Sequence, residues 1–509
     1  MKPPRPLLRA GLALAVVAAC GGVAAAPAWP ADNVLRVAAQ TFPPRFGNPY
    51  NPIALPNALT LQAIYDPLTV IGPSGQVLPG LAVAWAQETP TTWIFTLRPG
   101  VAFSNGEPFD AEAVVAALAY LQTDEGRRDS VASQDLKATL ASFRARDALT
   151  VEVVTTEPDP ILPLHLSFVR VPAPRAWAEA PRETFVRAPV GTGPFKVERW
   201  DEARLAMTAF AGSWRAPRVA RIEMLQISDP TVRVQAFVSG SVDIATALAP
   251  QDQPAVEGVG GRLLSRPSPL VHYLMFITVK DSPLKDTRVQ RALNHAVNKN
   301  VLLAAFLANA TTPASQFSHP MAFGFDPTLD PYDYDPARAK ALLAEAGHAN
   351  GFGFTMLLDP SSGGSYTDWF QQLAQDFAAV GVRMTIRPTT TSRMVEGVQT
   401  GNWPAEAFAW TFAGFDSLRG YRFRSCGHAT PYHCDPAMMP LIAAAEAAPT
   451  AAARLAATRA ALAYERDHPP GVLLWPGVGF DAVAAHVADY TVEEDLVRWD
   501  RVRLTGRAD

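Results

Sequence analysis

Three cysteines among 509 residues are too few for the disulfide-dense framework of a small secreted scaffold. Charged residues make up 18% of the chain and the net charge is −4. Such a balance gives no electrostatic footprint for nucleic acid or an acidic membrane surface. The sequence also has no H-E-x-x-H, no G-x-S-x-G and no Walker loop, which removes the motifs that announce metalloproteases, serine hydrolases and nucleotide-binding P-loops. Beyond the N-terminal segment no apolar run can cross a bilayer. The nearest, Leu441 to Ala463, is broken by Glu446, Pro449, Arg454 and Arg459. Each charge at bilayer depth costs about 2.5–3.5 kcal/mol, so this run reads as two amphipathic helices.

What is present describes a large folded protein. Hydrophobic content is 48%, and the length exceeds what one core normally fills, so two or three domains are expected. The 46 prolines are scattered singly, as in stiff, ordered loops. Met1 to Ala28 reads as a processing segment, with Lys2, Arg5 and Arg9 ahead of the short apolar run Ala10 to Ala19. Two cleavage sites compete there. Ala26-Pro27-Ala28 fits small-x-small, while Val17-Ala18-Ala19-Cys20 resembles a lipobox and makes Cys20 a candidate for lipidation. Either site exports the chain.

The stretch Thr92 to Leu118 organises the rest. Trp93, Phe95 and Leu97 alternate with Ile94, Thr96 and Arg98, the period of a strand. Pro99-Gly100 breaks it, Asn105-Gly106 predicts a tight turn, and Asp110 is placed to cap a helix carrying Val114, Val115 and Leu118. Further on, Pro189-Val190-Gly191-Thr192-Gly193-Pro194-Phe195 precedes a strand, not the helix a phosphate loop would need. Asp229-Pro230 and Asp335-Pro336 each predict a capped helix. Val289, Leu293, Val297 and Val301 predict one continuous helical stripe. Strand Phe352 to Leu358, a helix striped by Trp369, Leu373, Phe377 and Val380, and strand Val382 to Ile386 predict a parallel pair with a crossover.

Four of these segments, in order, resemble a known family. They are the opening stretch with Pro79-Gly80-Leu81-Ala82 and Trp85, the Gly191-Thr192-Gly193-Pro194 segment, Pro283-Leu284-Lys285-Asp286-Thr287-Arg288-Val289, and Tyr334 to Gly351. Ile64-Tyr65-Asp66-Pro67-Leu68 matches the family's Tyr-x-Pro-Leu pattern. Together the chain is similar to bacterial extracellular solute-binding proteins of family 5, the peptide- and nickel-binding proteins of ABC transporters.

The resemblance implies an α/β, two-lobed periplasmic binding protein fold of the type II clamshell kind, with an extra subdomain in the first lobe. The expected division is a signal peptide at 1–28, a first lobe from 33–66, 189–270 and 489–509, an inserted subdomain at 67–188, and a second lobe at 271–488. The chain would cross between lobes near Pro269 to Phe276 and again near Asp489 to Glu494. The implied function is the periplasmic substrate-binding component of an ABC importer, delivering a peptide or similar solute to permease subunits. Nickel complexes, glutathione, sugars and aromatic compounds are alternative ligands. No cofactor, metal, catalytic residue or nucleic-acid partner is called for, and a monomer is expected. Ser282-Pro283-Leu284-Lys285 also fits S-x-x-K, which leaves an exported hydrolase as a second reading, without the partner motifs that chemistry needs.

Between Trp403 and Phe423 aromatics are dense and fit neither helix nor strand period well, so a loop-bearing region is expected. In the family a tryptophan lines the cleft at the position of Trp410, and an acidic residue nearby pairs with the amino terminus of a bound peptide. That acidic position is Ala413 here, and the nearest carboxylate is Asp416. Tyr50, Trp410, Phe412 and Asp416 are therefore the expected ligand-binding residues. Cys426 and Cys434, with His428 and His433, spell C-x-H-x4-H-C. A zinc site would be strained in so short a loop, and an exported protein meets an oxidising compartment. A disulfide is expected, and relatives carry a cysteine pair at this point.

Overall fold

The computed structural model describes residues 33–50, 58–72, 74–129, 136, 139–362, 365–493 and 496–506. The expected signal segment and Cys20 lie outside them.

One ten-stranded sheet runs through the whole molecule. From one edge its strands are Val382–Pro388, Phe352–Leu358, Ala407–Ala413, Arg262–Phe276, Gly471–Val483, Ile244–Leu248, Val34–Ala39, Arg221–Gln226, Arg204–Ala209 and Phe195–Trp200. The two long central strands are antiparallel and belong to both halves. Arg262 to Pro267 faces Val483 to Val478, and Val271 to Met275 faces Pro476 to Gly471. Between those blocks the register slips. The cause is local: Pro267, Pro269 and Pro476 carry no N–H, so the ladder cannot continue there. On one side Gly471–Val483 pairs with Ile244–Leu248. On the other, Arg262–Phe276 pairs with Ala407–Ala413. Both crossings between lobes thus lie at this slip. Gly471–Val483 goes from facing Val271 to Met275 to facing Arg262 to Pro267 across Pro476 to Val478, and Asp489 has φ of 58°.

Each lobe has its own core. The first gathers Leu35, Ile222 and Ile244 with Phe95, Leu118 and Trp499, so the subdomain and the extreme C-terminal segment share it. The second gathers Phe276, Leu293, Phe370, Val382 and Trp475. The subdomain's sheet has the order Ala82–Thr89, Thr92–Leu97, Thr150–Thr155, Leu140–Asp147. The organising stretch folds as its pattern predicts. Trp93, Phe95 and Leu97 are buried in a strand, Gly106 has φ of 92°, and Asp110 accepts the Ala113 N–H at 3.0 Å to cap Ala111–Gln122. Asp229 and Asp335 cap their helices in the same way. The alanine-rich run is two helices, Met439–Glu446 and Ala451–Asp467.

Two expectations change. The Val289–Val301 stripe is not one helix. Thr287–Ala296 ends with Val297 extended, and Asn298 caps a new helix, Lys299–Leu307, that leaves Val301 55% exposed. Two successive caps, Asp286 and Asn298, override a period that looked continuous. The aromatic run after Trp403 is also not mainly loop. Ala407–Ala413 is a central strand, with Phe408, Trp410 and Phe412 all packed against one cluster that includes Tyr273 and Trp403.

Candidate functional site

Between the lobes lies a cavity of about 560 Å³, within the range of small-molecule sites. Its first-lobe wall is built where two sequence motifs meet. Asp66, from Ile64-Tyr65-Asp66-Pro67-Leu68, is buried and accepts from Thr192 Oγ1 at 2.9 Å and from Trp214 Nε1 at 2.8 Å. Thr192 stands between Gly191 and Gly193, and a Cβ on either glycine would fall within 3 Å of Ile64 backbone. The glycines are needed for that close approach, not for a left-handed turn. Arg215 binds Asp66 through Nε at 2.9 Å and reaches Asp500 through Nη1 at 2.7 Å. Arg498 holds the other oxygen of Asp500 at 2.7 Å. Both carboxylates on this wall are thus occupied by arginines of the fold.

Arg170 is different. Its side chain is buried and lines the cavity, with Nη1 donating to the Pro49 carbonyl at 3.2 Å. Burial pushes its pKa down to about 10, opposed by the Tyr65 phenol. Among the described residues no carboxylate pairs with this guanidinium, and a buried cation without an opposite charge is unfavourable. Aromatic surface completes the site. Phe168 from the first lobe and Phe415 from the second come together with ring centroids 5.8 Å apart, and Arg98 covers Trp214 at 4.3 Å.

The four residues expected from the sequence are not brought together. Tyr50 lies in the first-lobe core, stacked on Tyr120 at 4.6 Å. Its neighbour Pro49 nevertheless supports Arg170. Trp410 and Phe412 are half-buried against the second-lobe cluster, with Trp410 5.8 Å from Phe408. Asp416 is buried, its Oδ2 accepting from Arg454 Nη2 at 3.0 Å and its Oδ1 from the Leu418 N–H. The residues just before it, Gly414 and Phe415, do line the cavity. Sequence reasoning missed Asp66, Arg170, Trp214 and Arg215. The signal for Arg170 was there: one arginine inside the apolar run Leu162 to Pro172.

Cys426 and Cys434 form a disulfide. The neighbouring histidines have other partners: His433 Nδ1 is 2.9 Å from Thr278 Oγ1, and His428 Nδ1 accepts from the Thr430 N–H. Among the described residues no group of His, Cys, Asp and Glu could hold a metal ion, and no helix is long and apolar enough to cross a membrane.

Two lobes built on one sheet, sharing its paired central strands and with a cavity between them, are the arrangement of periplasmic solute-binding proteins. Solved structures agree on the fold. NikA from Brucella suis in complex with Fe(III)-EDTA superposes with a TM-score of 0.80 at 21% identity, covering 93% of this chain and 100% of that one. The periplasmic binding protein DppA from Helicobacter pylori with peptide STSA gives 0.74 at 18% identity, covering 93% and 98%. Among curated proteins, the nickel-binding periplasmic protein of Escherichia coli K12 is 31% identical over 316 residues, 59% of each chain. The glutathione-binding protein of Salmonella paratyphi A is 24% identical over 417 residues, 80% of this chain and 79% of that one. The family description "Bacterial extracellular solute-binding proteins, family 5 Middle" matches residues 76–429. The chain belongs to that family, and it is a solute-binding protein.

Proposed function

We infer that this chain is the substrate-binding component of an ABC importer and captures a small solute bearing a carboxylate, a short peptide fitting best. The observation that carries the anionic part is Arg170, buried in the cavity wall with a backbone carbonyl as its hydrogen-bond partner. Relatives bind peptides, glutathione or nickel, and each of the first two carries free carboxylates. The cavity's aromatic walls supply apolar contact for side chains or rings.

Native mass spectrometry of protein purified from its own host should find a carboxylate-bearing molecule still bound. In calorimetric titrations with di- and tripeptides, Arg170→Gln should weaken binding by about 2 kcal/mol or more, the range for removing one partner of a buried charge pair. Unchanged affinity would direct the search to neutral or cationic solutes. If the chain instead hydrolyses peptides, free amino acids will accumulate in the same incubations.

In this reading the first lobe holds the chain up to Pro269 and again from Val478, and the second lobe holds the segment between. The protein is exported and works as a monomer. The mass of the mature N-terminus separates cleavage after Ala28 from lipidation at Cys20.

A further inference from the structure

The lobes also meet at the tip of a small β-hairpin. Thr69–Ile71 and Val77–Pro79 pair antiparallel on the first lobe. A tight turn joins them, with the Gly72 N–H donating to the Gln76 carbonyl and the Gly75 N–H to the Gly72 carbonyl, both at 2.8 Å. The root is fixed to the first lobe: the Leu81 and Ala82 N–H groups donate to the Pro67 and Leu68 carbonyls, and Pro67 makes a β-bridge with Arg170. The flank of the hairpin lines the cavity through Val70, Ile71 and Pro79, and Gly414 and Phe415 of the second lobe line it as well. The tip touches the second lobe directly. Gly75 has φ of 76°, and a Cβ there would collide with the carbonyl oxygen of Met321. Glycine is thus required twice, for the left-handed backbone and for the close approach. Met321 is tied to the second lobe. Its N–H donates to His319 Nδ1 at 3.1 Å, and nearby Phe323 donates its N–H to the Phe415 carbonyl at 2.7 Å and accepts from the Ser417 N–H at 3.0 Å. Yet Met321 is only 5% exposed, and most of its apolar cluster comes from the other lobe: Ile71, Val77, Ile161, Leu164 and Phe168.

We propose that this hairpin is a strap that holds the lobes shut, with its tip seated at Gly75 on the Met321 backbone and the Met321 side chain covered beneath it. Parting the lobes must lift the tip and uncover Met321 together, because the side chain's cover comes from the opposite lobe. Burying that apolar surface favours the closed state whichever solute lies inside. The strap therefore sets how long any solute is held, and the cavity wall sets which solute is chosen. Pro67 joins the strap's root to the segment that carries Arg170, so the tip and the arginine belong to one body and meet the second lobe at the same moment. A side chain at position 75 would prop that meeting open.

The proposal rests on two lobes that open and close and not on which solute binds, so both readouts use the full mature protein without ligand. In the first, oxidation of Met321 by dilute hydrogen peroxide is followed by peptide mass spectrometry, because a thioether reacts as it becomes exposed. Met224 and Met356, buried in the cores of the two lobes, are the references. Gly75→Ala should speed oxidation of Met321 several-fold and leave Met224 and Met356 unchanged. Gly75→Asn separates collision from backbone strain, since asparagine tolerates positive φ yet still carries a Cβ. It should behave as Gly75→Ala does, and a return to the parent rate overturns the proposal. In the second readout, nitroxides at the exposed positions Val259 and Val301 report the lobe separation. Both variants should lose short-distance population in step with the faster oxidation of Met321. An unaltered Met321 rate, or an equal rise at all three methionines, overturns the proposal. So does a faster rate with no change in lobe separation, since the tip would then lift on its own. A failed solute screen would affect neither result.

Discussion

Lys299 is the most exposed weakness at the scale of single residues, because it is hidden. Its side chain is buried at the start of Lys299–Leu307, its Nζ has no hydrogen-bond partner among the described residues, and the ring of Tyr332 lies 5.8 Å away. Burial pushes its pKa down to about 7, with Arg466 adding to the effect and Asp333 resisting it. The unfolded chain keeps an ordinary lysine, so folding must give up a proton or bury a charge. That cost is full below pH 7 and fades as pH rises toward the unfolded value near 10.4. Lys299→Met should therefore stabilise the protein at pH 7, by on the order of 2 kcal/mol, and the gain should shrink by pH 10. Urea unfolding at both pH values checks it. A loss of stability at pH 7 would mean that water or a neighbour already satisfies the ammonium. Asp416 shows the same logic in reverse. It was expected to meet a ligand's ammonium, and its charge is instead met by Arg454.

At the scale of elements, capping overrules periodicity. Leu293 and Val301 belong to one apolar stripe on a continuous helix, yet the cap at Asn298 puts them on different helices with opposite burial. Leu293→Ala should cost about 2–5 kcal/mol, as cavities in packed cores do. Val301→Ala should stay within about 0.5 kcal/mol, as at an ordinary surface position. Equal losses would restore the single helix. Much of the fold was legible because local signals agreed with it: the alternation at Trp93 to Leu97, the capping aspartates, and the strand–helix–strand unit ending at Pro388. The aromatic strand Ala407–Ala413 was not legible as a strand. Alternation there is between large rings and small alanines and a threonine, not between apolar and polar, because the strand lies in the middle of the sheet. The site was legible only by its frame. Asp66 and Thr192 sit in motifs that could be read, but their meeting is a contact over 126 positions of sequence, which no local pattern encodes. Arg215 reaches Asp500 over an even longer separation.

At the scale of the whole molecule, the slip between Pro267 and Val271 interrupts the ladder of the two long strands that both lobes share, and a turning of the lobes is expected there. A ligand can shift the balance between open and closed states only by preferring one of them. Small-angle scattering with and without a saturating solute should show a smaller radius of gyration in its presence. An equal radius would indicate lobes already shut around a preformed site.

The shared strands also set an order of assembly. The second lobe's sheet needs only residues between Leu270 and Pro476. The first lobe needs both ends of the chain: Trp499 Nε1 donates to the Leu59 carbonyl, and the Val497 N–H donates to Gln62 Oε1. Contacts over more than four hundred positions form late, since the loop between them must close first. A chain emerging from its N-terminus therefore completes its second lobe while the first still waits, half-built, for a tail that has not arrived. Its strand Ile244–Leu248, whose partner Gly471–Val483 is completed late, and its apolar core stay exposed to other chains during that interval. Loss of the segment from Leu496 onward would leave the second lobe folded and the first unable to close its core, turning a late step of folding into a permanent gap.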